Sequence, residues 1–302
     1  MSATAIQTGG GRAPVVVKIG GAAGVDLDNV CADVAELVRR GECIVVVNGG
    51  SDAGDGLLKA LSMERPEVKT ASGNVVRLTH AATLRVLTMA WVGDVNKRAV
   101  TALLAKGVSG LGLCGADGRV LLARRRPPLK IQDGERLRID REHLAGEITE
   151  VNTRLLGVLM EQGHVPVVCP PAVTEDGTLV NVDADQAAAA IATALGARAL
   201  VLLSNVPGLL EDPKNPATLV RWCDDLPRAM ELAGGRMRYK MEAARRALTG
   251  GVPVVHVSAS RNPRPVLSAL TAEAGTKLTL PQAGAEAGTK LLLPKAVVDA
   301  GA

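Results

Sequence analysis

The stretch that decides the fold is Val15-Val16-Val17-Lys18-Ile19-Gly20-Gly21, an apolar β-branched run that stops on two glycines. The same arrangement recurs in Ile44-Val45-Val46-Val47-Asn48-Gly49-Gly50-Ser51. Short apolar runs bounded by glycine are typical of buried parallel strands. Glycine after such a strand lets backbone N–H groups approach an anion closely, and a following helix adds the positive end of its dipole. Both turns are therefore predicted to hold phosphate or carboxylate groups.

Outward from these turns, strand-like runs alternate with helical patterns. The predicted strands cover residues 15–19, 44–47, 165–169, 199–204 and 252–257. The predicted helices cover residues 27–40, 83–106, 150–162, 186–195 and 240–250. This alternation predicts an α/β fold with right-handed crossovers and a mainly parallel sheet. Residues 118–139 are expected to form an antiparallel insertion, because Asp133-Gly134 is a hairpin signal.

Bulk properties restrict the class of function. Lys and Arg number 35 against 31 Asp and Glu, a net charge of +4. So small a net charge favours a small-molecule substrate over nucleic acid. The five cysteines and four histidines show no metal-ligand spacing, and no apolar run reaches the ~18 residues of a membrane span. The chain is expected in the cytoplasm, with no membrane contact and no metal site of its own.

A hinge is predicted where Cys169-Pro170-Pro171 is followed by Glu175-Asp176-Gly177. The chain then divides into a lead-in at 1–13, an N-terminal lobe at 14–172, a C-terminal lobe at 173–280 and a tail at 281–302. The segment 272–281 recurs almost unchanged at 285–294. One copy is expected to close the sheet as an edge strand, and the second is an appendage.

Three charged residues are the candidates for phosphoryl transfer, which requires positive charge and N–H donors around the transferred group. Lys18 ends an apolar strand, where a charge is costly unless an anion pairs with it. Lys240 follows a Gly234-Gly235 turn, and Asp185 opens an alanine-rich helix after Asp183. The alternatives are a solvated strand-end lysine, an ordinary basic helix start and a helix cap. Asp185 could also orient both ammonium groups.

Two further segments suggest where substrates bind. Gly49 and Gly50 would offer N–H groups to an acceptor carboxylate, or else form a tight turn without a ligand. Arg77 is the sole charge in a short extended run, and a guanidinium clamps a carboxylate with two parallel bonds. A solvated Arg77 is the alternative. The segment 204–209 follows a predicted strand at the end where open α/β sheets bind ligands, which makes it a candidate nucleotide loop.

Taken together and in this order, these segments resemble the amino acid kinase family and, within it, the acetylglutamate kinase branch. The resemblance covers residues 15–280. It is closest to the kinases that phosphorylate the side-chain carboxylate of 2-aminoadipate or glutamate held on a small acidic amino-group carrier protein. The segments that carry this closer resemblance are 76–79, 94–98, 112–118, 124–126, 181–186, 203–209 and 235–237.

The resemblance implies a three-layer αβα sandwich, ATP as phosphoryl donor, Mg²⁺ bound mainly through the nucleotide phosphates, and a homodimer formed through the N-terminal lobe. It implies that Lys18 and Lys240 stabilise the transition state while Asp185 holds them in place. The implied residues of the amino-acid substrate site are Gly49, Gly50, Arg77 and Asn181. The implied nucleotide-binding residues, mainly in the C-terminal lobe, are Gly20, Gly21, Ser204, Asn205, Gly208 and Leu209.

Three positions depart from the acetylglutamate kinase pattern. Asn48 stands where these kinases usually have His, and Ser51 replaces their third glycine. Asp183 replaces an asparagine, and a carboxylate cannot donate the hydrogen bond of an amide unless it is protonated. The change at Asp183 favours the carrier-bound branch.

Clustered cations favour the same branch, because they steer an acidic partner. They comprise Arg119, Arg124, Arg125, Arg126 and Lys130, of which the last four are the expected carrier contacts. A solvated basic loop is the alternative. The sequence thus predicts a kinase that makes an acyl phosphate on carrier-linked 2-aminoadipate or glutamate. The alternatives are N-acetylglutamate kinase and a non-catalytic regulator with the same fold, although a regulator would not need Lys18, Asp185 and Lys240 together.

Overall fold

A computed structural model describes residues 12–21, 26–134 and 136–281. Most of the predicted lead-in and the tail beyond residue 281 lie outside the described residues. The strands are β1 (Val15–Ile19), β2 (Ile44–Asn48), β3 (Glu67–Lys69), β4 (Val75–Arg77), β5 (Gly110–Cys114), β6 (Leu121–Arg125), β7 (Leu129–Asp133), β8 (Arg136–Asp140), β9 (Gly146–Val151), β10 (Val165–Cys169), β11 (Ala172–Val173), β12 (Leu179–Val180), β13 (Ala199–Ser204), β14 (Trp222–Cys223), β15 (Val255–Ala259) and β16 (Thr276–Leu278). The helices are α1 (Leu27–Arg39), α2 (Ser51–Ala60), α3 (Ala81–Thr88), α4 (Asn96–Ala105), α5 (Thr153–Glu161), α6 (Ala184–Ala194), α7 (Leu226–Leu232), α8 (Gly235–Thr249) and α9 (Leu267–Leu270).

The central sheet has eight strands in the order β14-β16-β15-β13-β1-β2-β10-β5. β1 lies between β13 and β2, where Val15 faces Ala199 on one side and Ile44 on the other. Every pairing in this sheet is parallel except that between β15 and β16. The predicted mainly parallel sheet is therefore confirmed.

Two apolar layers cover this sheet, as expected for an αβα sandwich. Val15 and Val17 of β1 pack with α1, α4 and α9 on one face. Val16 points to the other face and packs with residues of α5, α6 and α8. Because side chains alternate along a strand, Lys18 lies on the same face as Val16, toward α6. The expected three-layer architecture is confirmed.

The helix predicted at 83–106 is one continuous rod made of three parts. α3 leads into a π-helical segment, Met89–Val95, and α4 follows it directly. π-helical turns are rare and occur often at functional sites, because the wider turn redirects the side chains along the helix. This rod packs beside α2, which starts at the second glycine turn.

The insertion at 118–139 differs from a single hairpin. β6 and β9 pair antiparallel in a second sheet of order β12-β11-β6-β9. Only β7 and β8 form the hairpin that the Asp133-Gly134 signal predicts. Arg124 and Arg125 therefore end β6 instead of lying on the hairpin, because β6 finds its partner more than 20 residues further along the chain.

Two other expectations about the C-terminal region need correction. The strand predicted at 252–257 is β15, which begins and ends later, at Val255–Ala259. The first copy of the repeated segment contributes β16, and β14 pairs with β16 on its outer side, so β16 is not the edge strand of the described sheet. The second copy, at 285–294, lies outside the described residues. None of the helices in the described part of the chain is long and apolar enough to cross a membrane.

Candidate active site

A cleft of about 670 Å³ opens at the carboxyl ends of the central strands β1 and β13. Ligands of open α/β sheets bind at this end. The cleft brings together most of the residues predicted from the sequence. Those that line it are Lys18, Gly20, Gly21, Arg77, Asn181, Asp185, Ser204, Asn205, Gly208, Leu209 and Lys240.

The centre of the cleft is a triad of buried charges. The Nζ atom of Lys18 lies 2.7 Å from Oδ1 of Asp185. The Nζ atom of Lys240 lies 2.9 Å from Oδ2 of the same carboxylate and 3.1 Å from Oδ1. The two lysines, 222 positions apart in the sequence, thus share one aspartate and leave the triad one positive charge in excess.

Local structure explains how the triad forms. Asp183, not Asp185, caps α6, because its Oδ1 accepts hydrogen bonds from the N–H groups of Asp185 and Gln186. The helix-cap reading of Asp185 is therefore wrong, and its carboxylate is available to both lysines. α8 begins at Gly235, earlier than the sequence pattern predicts, so Lys240 lies in the second turn and not at the helix start.

The shared carboxylate sets the ionisation of the triad. Burial alone would raise the pKa of Asp185, but the charges of Lys18 and Lys240 outweigh it and lower the pKa to about 2. Burial lowers the pKa of Lys18, yet Asp185 reverses this effect and leaves it above the ordinary value. For Lys240, burial and the charge of Lys18 outweigh Asp185 and lower the pKa. Lys240 is therefore the more easily deprotonated of the two.

Asp183 is a second carboxyl group at this centre, and its side chain opens onto the cleft. Desolvation by the surrounding protein raises its pKa, and repulsion from Asp185 raises it further. Of the two aspartates in the cleft, Asp183 is thus the one that more readily accepts a proton, which would let it donate a hydrogen bond.

The end of the cleft beside the β3–β4 hairpin holds a cluster of arginines and carboxylates. Arg77 contacts Asp55 through Nη1 and donates from Nε to Glu67 at 3.1 Å. Arg65 also approaches Asp55, at 3.8 Å, and donates to Oγ1 of Thr79 at 3.0 Å. Sequence reasoning missed Arg65, Asp55 and Glu67. Hairpin pairing places Glu67 opposite Arg77, and the packing of α2 beside the hairpin brings Asp55 to the same guanidinium.

Asn181 connects this cluster to the triad. Its Nδ2 lies 3.4 Å from the Thr79 Oγ1 that also accepts from Arg65. Asn181 precedes α6 and lines the cleft four residues before Asp185. The amide is thus placed between the buried charges and the guanidinium groups.

The two glycine turns pack directly against each other. A Cβ atom on Gly21 would lie 2.4 Å from the Gly50 nitrogen and 2.6 Å from the Ser51 nitrogen. Gly20, Gly21 and Ser51 line the cleft, whereas Gly49 and Gly50 are buried immediately behind Gly21. Only glycine at position 21 permits this approach.

The other end of the cleft is the predicted nucleotide loop. A Cβ atom on Gly208 would lie 2.5 Å from Oγ1 of Thr276, which also accepts from the Leu209 N–H at 2.8 Å. β16 thus fixes this loop from behind. Apolar and aromatic side chains follow it along the cleft, and they fit a nucleotide base: Val206, Leu210, Pro213, Leu232, Met237 and Tyr239.

The cations expected to contact a carrier lie outside the cleft. Arg124 pairs with Glu147 at 3.0 Å. Arg125 donates to the backbone carbonyls of Arg141 and His143, and Arg126 donates to that of Gly146. Lys130 is exposed on β7. All four lie on or next to the small antiparallel strands.

Comparisons with known proteins agree with this geometry. The sequence profile described as "Amino acid kinase family" matches residues 13–258. The chain is 38% identical to [LysW]-aminoadipate kinase of Thermus thermophilus, over 86% of this chain and 98% of that protein. It is 39% identical to acetylglutamate kinase of Methanopyrus kandleri, over 78% of this chain and 91% of that protein. A structure of N-acetylglutamate synthase from Neisseria gonorrhoeae superposes with a TM-score of 0.72 at 25% identity, over 89% of this chain and 60% of the synthase.

Proposed function

The chain belongs to the amino acid kinase family, and from that premise we propose that it phosphorylates a side-chain carboxylate with ATP. The acceptor is 2-aminoadipate or glutamate attached to a small acidic amino-group carrier protein, and the product is an acyl phosphate. The observation that carries the proposal is the convergence of Lys18 and Lys240 on Asp185 inside the cleft.

The triad provides the electrostatic part of catalysis. Phosphoryl transfer spreads negative charge over the equatorial oxygens, and fixed cations in a water-poor cleft stabilise that charge. Lys18 and Lys240 would bind these oxygens from two sides. Asp185 keeps both ammonium groups oriented before substrates arrive, so little reorganisation is needed in the transition state. No covalent intermediate on the protein is required.

The acceptor would lie between the triad and the β3–β4 hairpin. Arg77 offers a guanidinium, and its bonds to Asp55 and Glu67 can be exchanged for bonds to a substrate carboxylate. Asn181 lines the same cleft, and the turn containing Gly49 and Gly50 lies at the start of α2. The reacting carboxylate would approach the N–H groups of this turn, in line with the nucleotide.

ATP would occupy the opposite end, supplying its γ-phosphoryl group to the acceptor. Its base fits the apolar wall, and its phosphates would pass the loop Ser204, Asn205, Gly208 and Leu209 toward Gly20 and Gly21. No group of three or more potential metal ligands occurs in the described ranges. Mg²⁺ keeps several waters and binds largely through substrate phosphates, so it would enter the cleft with the nucleotide.

Two alternatives are distinguished by specific features. N-acetylglutamate as acceptor is supported by the similarity to acetylglutamate kinases. Asp183, in place of their asparagine, favours the carrier-bound acceptor instead. A non-catalytic ligand-binding regulator is disfavoured, because binding alone does not require two buried lysines on one carboxylate, an arrangement with a high desolvation cost.

We place the carrier on two adjoining surfaces. The first is the basic run Arg124, Arg125 and Arg126. The second, called the hairpin face below, is the outer side of the strands β4, β3, β7 and β8, and it consists of Lys69, Val75, Lys130, Gln132, Leu137 and Ile139. Both are near the cleft end where Arg77 lies, and Val75 also lines the cleft. In the described part of these two surfaces, Glu147 is paired with Arg124 and Glu67 with Arg77.

Strand pairing supports the hairpin face. Lys69 pairs with Val75, Lys130 with Ile139 and Gln132 with Leu137. Paired residues point to the same side of a sheet, and a bridge between Thr70 and Ile131 joins the two hairpins. Thr70 and Ile131 are buried on the inner side, whereas Val75, Leu137 and Ile139 are at least half exposed. Exposed aliphatic groups between lysines suit an acidic protein surface with an apolar centre.

We also infer a homodimer formed by the N-terminal lobe. Met89 and Leu104 lie on the long helical rod, and more than half of each side chain is exposed. Sedimentation equilibrium would test this association, and a monomer at micromolar concentration would refute it.

The decisive experiment compares acceptors. Release of ADP is measured with acetylated glutamate and with glutamate or 2-aminoadipate attached to an acidic carrier, and Lys18→Met is the matched inactive variant. We expect turnover with a carrier-bound acceptor that depends on Lys18. Turnover with acetylated glutamate alone would select the first alternative, and nucleotide or acceptor binding without any turnover would select the regulator.

A further inference from the structure

Two residues of the long helical rod contact the acceptor turn from behind. Trp91, in the π-helical segment, donates from Nε1 to the Gly50 carbonyl at 3.0 Å. Asn96, the first residue of α4, donates from Nδ2 to Oδ1 of Asn48 at 3.0 Å and to the Val167 carbonyl at 2.8 Å. Asn96 therefore links the end of β2 to the middle of β10. Both side chains are almost fully buried.

Glycines give these two side chains the space that they occupy. A Cβ atom on Gly50 would lie 2.4 Å from Cδ1 of Trp91. A Cβ atom on Gly112 would lie 2.0 Å from Oδ1 of Asn96. The second glycine of the Gly49-Gly50 pair is thus required by the indole ring, independently of any ligand.

The hydrogen bonds fix the orientation of two successive peptide planes. The carbonyl of Gly49 accepts from Nδ2 of Asn48 at 3.2 Å. The carbonyl of Gly50 accepts both from Trp91 and, at 2.9 Å, from the Gly54 N–H of α2. In a planar trans peptide the N–H points opposite to the carbonyl. The N–H groups of Gly50 and Ser51 are consequently directed away from Trp91 and Asn96, toward Gly21 and the cleft.

We propose that Trp91 and Asn96 are positioning residues for the acceptor, which act by holding the Asn48–Gly50 turn so that its N–H groups face the transferred phosphoryl group. The inference rests on the proposed binding of the acceptor carboxylate at this turn. Asn48 belongs to the same hydrogen-bond network, because its Oδ1 accepts from Asn96 and its Nδ2 donates to the Gly49 carbonyl. This gives a role to the 94–98 and 112–118 segments, which line no part of the cleft.

The sharpest test removes one N–H group. Benzothienylalanine has the shape of tryptophan with sulfur in place of the indole N–H, and it is introduced at position 91 by codon suppression. We expect kcat/KM for the acceptor to fall by about tenfold, because the buried Gly50 carbonyl loses the hydrogen bond that ties it to the helical rod and keeps only the one from the Gly54 N–H. The KM for ATP should stay within about twofold, because the nucleotide loop is held separately by β16. The same replacement at Trp222, in the edge strand β14, is the matched control.

A second variant tests the other contact. Asn96→Asp keeps the shape and removes both donated bonds, and it should also reduce acceptor kcat/KM selectively. Because both residues act on one turn, the fold-decrease in acceptor kcat/KM of the double variant should be smaller than the product of the two single fold-decreases. Equal decreases in kcat/KM for the acceptor and for ATP would overturn the proposal in favour of a structural role. Unchanged kinetics in the position-91 variant would also overturn it.

Hydrogen exchange separates this inference from the proposed function. If the wild-type chain phosphorylates none of the acceptors, the proposed function fails, but the positioning can still be measured. Amides of residues 48–52 should exchange faster in the position-91 variant, while those of residues 199–204 should not change. Unchanged exchange at residues 48–52 would show that Trp91 does not hold the turn.

Discussion

The triad at Asp185 and the cluster at Arg77 contain the same kinds of charged groups in opposite surroundings. The side chains of Lys18, Asp185 and Lys240 are 7%, 8% and 11% exposed. Those of Arg77, Asp55 and Glu67 are 31%, 38% and 58% exposed. A buried charge that loses its partner remains unsolvated, whereas an exposed charge that loses its partner is solvated by water. The triad is therefore suited to a fixed catalytic charge, and the cluster to exchanging partners with a substrate.

The largest effect is expected from Asp185→Asn, which keeps the shape of the side chain and removes the shared negative charge. Two ammonium groups would then be buried side by side without the carboxylate that they share. We expect kcat to fall by about 10³-fold or more and the free energy of unfolding to fall by about 3–5 kcal/mol. Steady-state kinetics and urea denaturation measure the two losses.

Asp33→Asn is the matched control for a buried aspartate. Asp33 accepts from the N–H groups of Val266 and Leu267 and lies far from the cleft lining. This variant should lose stability while the folded fraction keeps its kcat. A fully active Asp185→Asn protein would remove the distinction between the two charged regions.

The next largest effect is expected from Lys18→Met and Lys240→Met. Each variant leaves one lysine paired with Asp185, so folding should be nearly unaffected while one transition-state cation is lost. We expect kcat to fall by about 10²–10³-fold in each case, with little change in the melting temperature. Lys59→Met, at the exposed end of α2, is the control. Normal turnover in either triad variant would contradict the assignment.

Much of this centre could be predicted from local sequence patterns, because valine runs and glycine pairs specify buried strands and tight turns. The cost of burying an unpaired charge predicted an anionic partner for Lys18, and Asp185 was one candidate for that role. The cluster around Arg77 could not be predicted, since hairpin pairing places Glu67 opposite Arg77. Trp91 was missed because the π-helical segment alters the periodicity that relates helical residues to one face. The pairing of β6 with β9 depends on long-range contacts that no local pattern encodes.

Arg77→Met should produce an intermediate effect that is confined to the acceptor. The loss of an exchangeable guanidinium should raise the KM for the acceptor by about 10–100-fold, the value of a charge-assisted hydrogen bond, with a smaller change in kcat. Stability should change by about 1 kcal/mol or less because the ion pairs are partly exposed. Initial rates at varied acceptor and ATP concentrations would check this. A change in the KM for ATP of the same size would place Arg77 outside the acceptor site.

The pH dependence should distinguish the two lysines. Lys240 has the lowered pKa, so turnover should decline at high pH as this group loses its proton first. Lys18→Met removes a repelling charge and should shift the decline of its residual activity to higher pH. On the acid side, Asp185 binds a proton less readily in the folded than in the unfolded chain, so its stabilising effect is complete above its ordinary pKa of 3.8 and is lost as the pH falls toward 2. If the decline of activity at high pH occurs at the same pH in Lys18→Met and in the wild type, the charge of Lys18 does not lower the pKa of Lys240.

The smallest effects are expected at the carrier surfaces, where charges are exposed and steer a partner more than they hold it. Reversal of Lys69 and Lys130 to Glu should raise the KM for a carrier-bound acceptor by about 3–10-fold at low salt, an effect that should shrink at high salt. Activity with the same amino acid on a short uncharged peptide should not change.

Reversal of Arg124, Arg125 and Arg126 to Glu is the matched comparison on the basic run. These side chains also bond to Glu147 and to backbone carbonyls. A third variant, Leu137→Ser, tests the apolar part of the hairpin face. If only the arginine reversal weakens use of the carrier, the basic run is the docking site and the hairpin face is not. If the KM for the acceptor is independent of salt in both charge-reversal variants, the acceptor is not bound to an acidic protein. The exposed cluster at Arg77 would then recognise a free small molecule.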